Sequence, residues 1–366
     1  MSSTPLRVGV VGVGPMGSDH AQRLATRTAG VRLVAVADPD VPRAEALAER
    51  LDEHPAGRSA GRSARRSTER PTVRVVADAL ELVASPDVDA VVLASPGVVH
   101  EEQVLACLEH GKPVLCEKPL TMDEASSLRI VEAEAALGRR LVTVGFMRRF
   151  DPEYAQVEAA LRSGAHGRLL LLHNTHRNRS VPNADFRSEM IVRDSLVHEV
   201  DASRFLFGEE ITEVTVLSPT PTSHAGLGVV DPQVAIFRMS GGGLVTNEVF
   251  VNSQVGYEVR FEAVTERGSL TAGLVATGVL TTHATGGGGT WGGVVPDDYR
   301  TRFARAYDVE VQAWADAVRA GRPIGPSGWD GYAATAVSTA GMASLATGRP
   351  VPVVLAERPA LHGAGN

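Results

Sequence analysis

The feature that most constrains this chain is a glycine turn set between two kinds of pattern. Leu6 to Val13 is a short, Val-rich apolar run, and it leads into Gly12-Val13-Gly14-Pro15-Met16-Gly17. A helical spacing of His20, Ala21, Leu24 and Ala25 follows. GxGxxG alone is a weak signal, but between a strand and a helix it becomes specific. The glycines allow a tight turn and a close approach of backbone to a pyrophosphate, and the helix presents free N–H groups and its positive dipole end to that charge. The blander reading is a glycine-rich turn that holds nothing.

Further short, nearly all-apolar runs follow at Val31–Ala37, Val73–Ala77, Ala90–Ala94 and Leu141–Phe146, which suit strands buried on both faces of a parallel sheet. Helical stretches alternate with them at 44–51, 101–109 and 122–137, the last with Thr121 and Glu124 spaced as a capping box. This alternation predicts a doubly wound α/β domain over residues 1–145. Beyond it, the strand candidates 168–176, 211–217, 233–239, 243–251 and 258–265 are longer and amphipathic, and turn residues such as Ser240-Gly241-Gly242-Gly243 separate several of them. That pattern predicts an α+β domain over residues 146–366 with an open, mainly antiparallel sheet. Helices are expected at 152–162, 190–207, 308–320 and 332–346, the late ones able to pack back on the first domain. Asp52 to Pro71, rich in Arg, Ser and Gly, reads as a solvated loop rather than an arm for anionic ligands, and Gly286 to Gly293 as a flexible loop.

The bulk numbers exclude several classes. The chain has 366 residues, 43% hydrophobic and 22% charged, and a net charge of −7, which argues against a nucleic-acid partner. Cys107 and Cys116 form no metal or redox spacing and read as buried spectator thiols. The N-terminus lacks the basic-then-apolar order of a signal peptide, and no apolar run approaches the ~18 residues of a membrane span, so the cytoplasm is expected.

Three clusters carry chemistry. Asp38 ends the second strand, 21 residues after Gly17. A carboxylate there accepts both ribose hydroxyls of an adenosine and repels a 2′-phosphate; Asp40 adds to the repulsion, and Arg43 is the nearby cation that opposes it. NAD is therefore expected over NADP, the alternative being that Asp38 merely caps the turn before Pro39. Glu117-Lys118-Pro119 places a lysine at the carboxyl end of a parallel-type strand, where open α/β sheets bind ligands and an ammonium can stabilise developing alkoxide charge. The bland alternative is a surface Lys–Glu pair. Asp194, His198 and Asp201, spaced four and three apart, are expected on one face of one helix, a candidate general base flanked by carboxylates. His198-Glu199 begins a zinc motif, but Ala202 ends it, and no metal is expected. His173, His176, Arg177 and Asn178 suit a polyhydroxylated ligand or form a polar strand end.

Together these motifs resemble the Gfo/Idh/MocA oxidoreductase superfamily, and within it the inositol 2-dehydrogenases. Gly12–Gly17, Cys116–Pro119, Val144–Asp151, His176–Asn178, Asp194–Asp201, Tyr307–Glu310 and Trp329–Tyr332 carry the resemblance across both domains. It implies a Rossmann domain followed by a substrate-binding and oligomerisation domain, and NAD-dependent oxidation of a cyclic polyol, most simply myo-inositol to a keto-inositol. It implies Lys118, Asp194 and His198 as catalytic residues. Gly12, Gly14, Pro15, Met16, Gly17, Asp38, Ser95, His100, Glu117 and Lys118 would hold the cofactor. Arg148, His176, Asn178, Asp194, His198, Asp201, Tyr257 and Tyr307 would contact the polyol or shape its pocket. A homotetramer built through the open sheet face is the family's common state. Two departures stand out: the long basic segment 52–71, and a single tyrosine at Val255-Gly256-Tyr257, in a segment that resembles a two-tyrosine stretch of the inositol enzymes. The remaining alternatives are the same chemistry on scyllo-inositol, a pyranose or an aminocyclitol precursor, and, more distantly, a non-catalytic NAD-binding sensor.

Overall fold

The computed structural model describes residues 4–53, 73–181, 185–273 and 295–363. The basic segment, from residue 54 onward, and the glycine-rich loop 286–293 lie outside the described residues. The chain divides into two units. One comprises Met1–Gly145, Asp308–Tyr332 and Glu357–Asn366; the other comprises Phe146–Tyr307 and Ala333–Ala356. Two late segments thus fall in the first unit.

The first unit alternates β1 (Leu6–Val11), α1 (Pro15–Thr26), β2 (Val31–Ala37), α2 (Val41–Glu53), β3 (Arg74–Val76), α3 (Ala79–Ala84), β4 (Ala90–Leu93), α4 (His100–Glu109), β5 (Val114–Glu117), α5 (Glu124–Leu137) and β6 (Val142–Gly145). The sheet order is β3-β2-β1-β4-β5-β6, with every pairing parallel. β4, β5 and β6 are buried at every residue, which explains why their sequences show no alternation. The order reverses between β1 and β4, and such a switch point opens a crevice at the strands' carboxyl ends. Val8, Val10, Leu24, Val36, Val92 and Leu115 form the core, and the late helix closes it with Val311, Trp314 and Ala315.

The capping box expected at Thr121 and Glu124 does not form. Asp123 caps α5 instead, accepting from Ser126 N at 2.9 Å, while the Thr121 hydroxyl donates to Asp123 O at 2.8 Å. Both are good capping residues, and the carboxylate nearer the helix wins.

His362, in the C-terminal segment of this unit, is buried 3.4 Å from Glu134. Burial first, then Arg140 and Arg358, hold its pKa down at about 4. Glu134 offsets little, because burial raises its own carboxyl and so disfavours its charged form. Between pH 6.5 and about 4 the unfolded chain thus takes up a proton that the folded chain refuses. The resulting stability is complete above pH ~6.5, amounts to at most about 3 kcal/mol, and drains away as pH falls toward 4. Thermal melts at pH 5 and pH 7.5 are expected to differ less for His362→Asn than for the wild type; an unchanged difference would refute the assignment.

The second unit contains α6 (Pro152–Arg162), β7 (Leu169–Arg177), α7 (Ser188–Met190), a π-helical stretch Ile191–Leu196, α8 (Val197–Phe207), β8 (Ile211–Leu217), β9 (Gln233–Met239), β10 (Leu244–Phe250), β11 (Glu258–Thr265), β12 (Gly268–Ala272), α9 (Tyr299–Arg302), α10 (Ala304–Ala320), α11 (Gly328–Thr347) and β13 (Val351–Pro352), with α10 and α11 each crossing the unit boundary. Its sheet runs β12-β11-β7-β10-β9-β8-β13, antiparallel except for β7 with β10. Burial alternates along the strands, and Leu172, Phe237, Val245, Val249 and Phe261 lie on the buried face. Asn174 donates to Asn247 Oδ1 at 2.8 Å, so the two buried amides satisfy each other. The single helix expected over 190–207 is interrupted: residues 191–196 follow the wider i→i+5 turn, a feature often found at functional sites. Among the described residues no helix is long and apolar enough to cross a membrane.

Candidate active site

In the first unit, β1 delivers the chain into the glycine turn at the switch point. Gly12 adopts φ +80°, and a Cβ there would meet Ser95 N at 2.6 Å; a Cβ on Gly17 would meet Gly12 O at 1.7 Å. Both positions exclude any side chain. Gly14 caps α1 without a side-chain hydrogen bond, Pro15 occupies the first turn, and nothing lies within 4 Å of a Cβ built on Gly14. The N–H groups of that turn therefore face an unobstructed cradle, which suits a pyrophosphate. Met16 is half-buried beside it.

Asp38 is buried at the end of β2. Its Oδ2 accepts Val13 N at 2.8 Å, and its Oδ1 accepts Asp40 N at 2.9 Å and Arg43 at 2.7 Å. Burial pushes its pKa up, but these donors outweigh it and hold the carboxyl below its ordinary range. A carboxylate has about four lone-pair sites, so three are taken, and a ribose needs the fourth plus displacement of the half-exposed Arg43. This donor set fits an NAD ribose.

Lys118 follows β5 and is half-buried, with a cis peptide to Pro119. The backbone around it is braced. Glu117 receives His20 Nε2 at 2.7 Å through Oε1 and lies 3.3 Å from Lys118 N through Oε2. His100 places Nδ1 2.9 Å from Pro119 O and Nε2 2.8 Å from Ser95 O, and Ser95 Oγ donates to Gln103 at 2.6 Å. Through these two backbone carbonyls His100 ties the lysine turn to the β4 loop. Burial outweighs the two carbonyls and lowers its pKa, so the neutral ring is favoured and its single N–H donates to one carbonyl at a time. Cys107 and Cys116 are both buried free thiols, the first pushed up by burial to about 12.

In the second unit, the π stretch carries Asp194, whose carboxylate pairs with Arg193 at 2.7 and 2.8 Å. His198 opens α8 and is buried, 6.3 Å from the His176 ring. Asp194 lies within the π stretch, so the i, i+4 count used to place it with His198 does not describe this backbone, whereas His198 and Asp201, three apart, both lie in α8.

Two residues expected to contact the polyol or shape its pocket are paired within the protein. Asp201, 1% exposed, is held by Arg149 through contacts of 3.1, 3.0 and 2.6 Å. Arg148, 2% exposed, pairs with Glu199 Oε1 and lies 3.3 Å from His176 Nδ1. Each is bound to a partner within the protein, and the physical reason is burial: a charge out of water must be paired. Asn178 fits better. Its backbone is fixed by Phe250 O and by Ser253, while its buried Oδ1 has no partner among the described residues. Tyr257 packs edge-on against His176 at 5.7 Å and Phe303 at 6.2 Å, its hydroxyl pKa pushed up by burial. Tyr307 is buried against Tyr299.

Sequence reasoning missed Glu199, Arg149 and His20. Glu199 and Asp201 offered a signal, as two acids two residues apart in a buried helix, but their partners Arg148 and Arg149 lie some fifty residues away. Among the described residues no group of three or more His, Cys, Asp or Glu side chains is arranged to hold a metal ion.

Comparisons with known proteins agree with this architecture. A model described as an oxidoreductase family with an NAD-binding Rossmann fold matches residues 6–146, and one for a GFO/IDH/MocA C-terminal domain matches residues 154–271. The chain is 50% identical over 370 residues to an inositol 2-dehydrogenase of Mycolicibacterium smegmatis, covering 98% of this chain and 99% of that one. It is 51% identical over 362 residues to inositol 2-dehydrogenase 4 of Saccharopolyspora erythraea, covering 99% and 100%. The structure of myo-inositol dehydrogenase from Lactobacillus casei in complex with NAD(H) and myo-inositol superimposes with a TM-score of 0.87 at 30% identity, over 98% of this chain and 100% of that one. A glycine cradle, a ribose carboxylate and matches spanning almost the whole length lead to one conclusion: the chain belongs to the GFO/IDH/MocA family of NAD-binding oxidoreductases.

Proposed function

We propose that the protein is an NAD-dependent dehydrogenase that oxidises a ring carbinol of a cyclic polyol, with myo-inositol as its first substrate and a keto-inositol as product. The observation that carries this reading is identity of about half, over nearly the whole of both chains, to inositol 2-dehydrogenases. When bound, NAD supplies the hydride acceptor. The turn Gly12–Gly17 holds its pyrophosphate and Asp38 its adenosine ribose, with Ser95 and Glu117 lining the same strand ends. His198 takes the hydroxyl proton as general base, and Asp194, itself held by Arg193, orients it. Lys118 donates a hydrogen bond to the same oxygen and stabilises its developing charge. Such proton transfer supplies about 10²–10⁴-fold of rate. Asn178 and His176 recognise ring hydroxyls, and Tyr257 and Tyr307 shape the walls around them.

The test is nucleotide reduction by the purified protein with NAD or NADP against myo-inositol, scyllo-inositol and glucose. Turnover of myo-inositol with NAD is expected to lead; turnover confined to the pyranose, or none with any cyclitol, would overturn the reading. We further infer a homotetramer associated through the outer face of the seven-stranded sheet, where Leu171, Val234, Ile236, Leu244 and Phe250 remain half-buried, and a cytoplasmic location, where a supply of NAD is at hand. Light scattering that reports a monomer would refute the tetramer.

A further inference from the structure

The second unit encloses a buried trio of which the proposed reaction uses only His176. Glu199 is 0% exposed, Arg148 2% and His176 2%. Glu199 Oε1 takes the Arg148 guanidinium, and Glu199 Oε2 lies 3.1 Å from His176 Nδ1. Burial would raise the Glu199 pKa, but Arg148 and His176 outweigh it and keep the carboxylate charged. The His176 ring is fixed on its sides by Tyr257 at 5.7 Å and His198 at 6.3 Å, both edge-on. Its Nε2 has no hydrogen-bond partner among the described residues.

Nδ1 faces two groups that demand opposite tautomers. A bare Nδ1 would set its lone pair against the Glu199 carboxylate at 3.1 Å; a protonated Nδ1 would set its N–H against Arg148 Nη2 at 3.3 Å. The carboxylate is nearer, and Arg148 already spends its charge on Glu199. The Nδ1–H form therefore prevails, and in a neutral imidazole that leaves Nε2 as a pure acceptor. We propose that Glu199 is a positioning residue for substrate specificity: it fixes His176 as the Nδ1–H tautomer, so that Nε2 selects a ligand presenting a hydroxyl donor beside His198. Arg148 serves by keeping Glu199 ionised. This rests on the cyclic-polyol reading, in which every ring carbon offers such a donor.

Two measurements test it. The first is independent of substrate: ¹⁵N spectra of histidine-labelled wild-type protein, with the His176 signals assigned by their loss in His176→Gln. Protonated Nδ1 and bare Nε2 are expected; the reverse tautomer overturns the proposal. The second is kinetic. In Glu199→Gln the amide can turn its N–H₂ toward Nδ1, so His176 adopts the other tautomer and Nε2 becomes a donor. The kcat/KM for the polyol is expected to fall about 10- to 100-fold, the scale of leaving one buried polar group without its partner. Most of the loss should fall on the polyol KM, with the NAD KM within about twofold of wild type, and Glu199→Asp should restore part of it. A fall in kcat alone, or equal losses for both substrates, overturns the proposal. Should Glu199→Gln fail to fold because Arg148 is left buried and unpaired, the spectra of the wild type still decide. Absence of any polyol turnover by the wild type would refute the proposed substrate instead, leaving the tautomer assignment to stand or fall on its own spectrum.

Discussion

Lys118→Met is expected to lower kcat for myo-inositol by about 10³-fold, the upper range for loss of one donor aimed at developing oxyanion charge. NAD affinity should stay within a few-fold of wild type. The reasoning is local. Methionine keeps the length and apolar stem of lysine but offers neither proton nor charge. The turn that presents residue 118 is held by groups the substitution leaves in place: Glu117 against His20, and His100 between Pro119 O and Ser95 O. Binding of NAD by calorimetry beside steady-state turnover separates the two effects. Near-normal turnover would remove Lys118 from the catalytic set; loss of NAD affinity would make it chiefly a cofactor residue.

The second large effect concerns the choice of cofactor. Asp38→Ser should weaken NAD by about 10²-fold, since hydrogen bonds to a charged acceptor contribute about 1.5–3 kcal/mol each. It should also release Arg43, now held at 2.7 Å, to meet a 2′-phosphate. The ratio of kcat/KM for NAD to that for NADP should therefore invert, and adding Arg43→Ala should abolish the gain with NADP. An unchanged ratio would show that Asp38 merely stabilises the turn, since it also caps Val13 N. The preference should hold steady from pH 7 to 9, because the Asp38 carboxyl sits below its ordinary range and the 2′-phosphate keeps its full charge there.

The parts of the protein legible in its residues are those governed by short-range rules. The glycines must stand where a Cβ would strike backbone, and the apolar strands must run unbroken where a sheet is buried on both faces. Asp38 must end its strand to meet a ribose. The misjudged details are those in which two local answers compete. Thr121 and Asp123 could each cap α5, and only the assembled turn chose between them. The π stretch at 191–196 escaped notice because one widened turn leaves no mark in residue types that an α-helix accepts equally well.

What the sequence determined by itself, then, is the order of elements, the nucleotide cradle, and the chemical types at the site: a lysine after a strand, a histidine and carboxylates on a helix. What only the tertiary structure decided is the employment of the buried charges. Lys118 owes its presentation to His20 and His100, which come from other elements. Arg148 and Asp201, expected to contact a polyol or shape its pocket, pair with Glu199 and Arg149 about fifty residues away. The physical reason is that a charge removed from water takes whichever partner the fold brings within reach. That partner is set by packing between distant segments, and spacing along the chain does not record it.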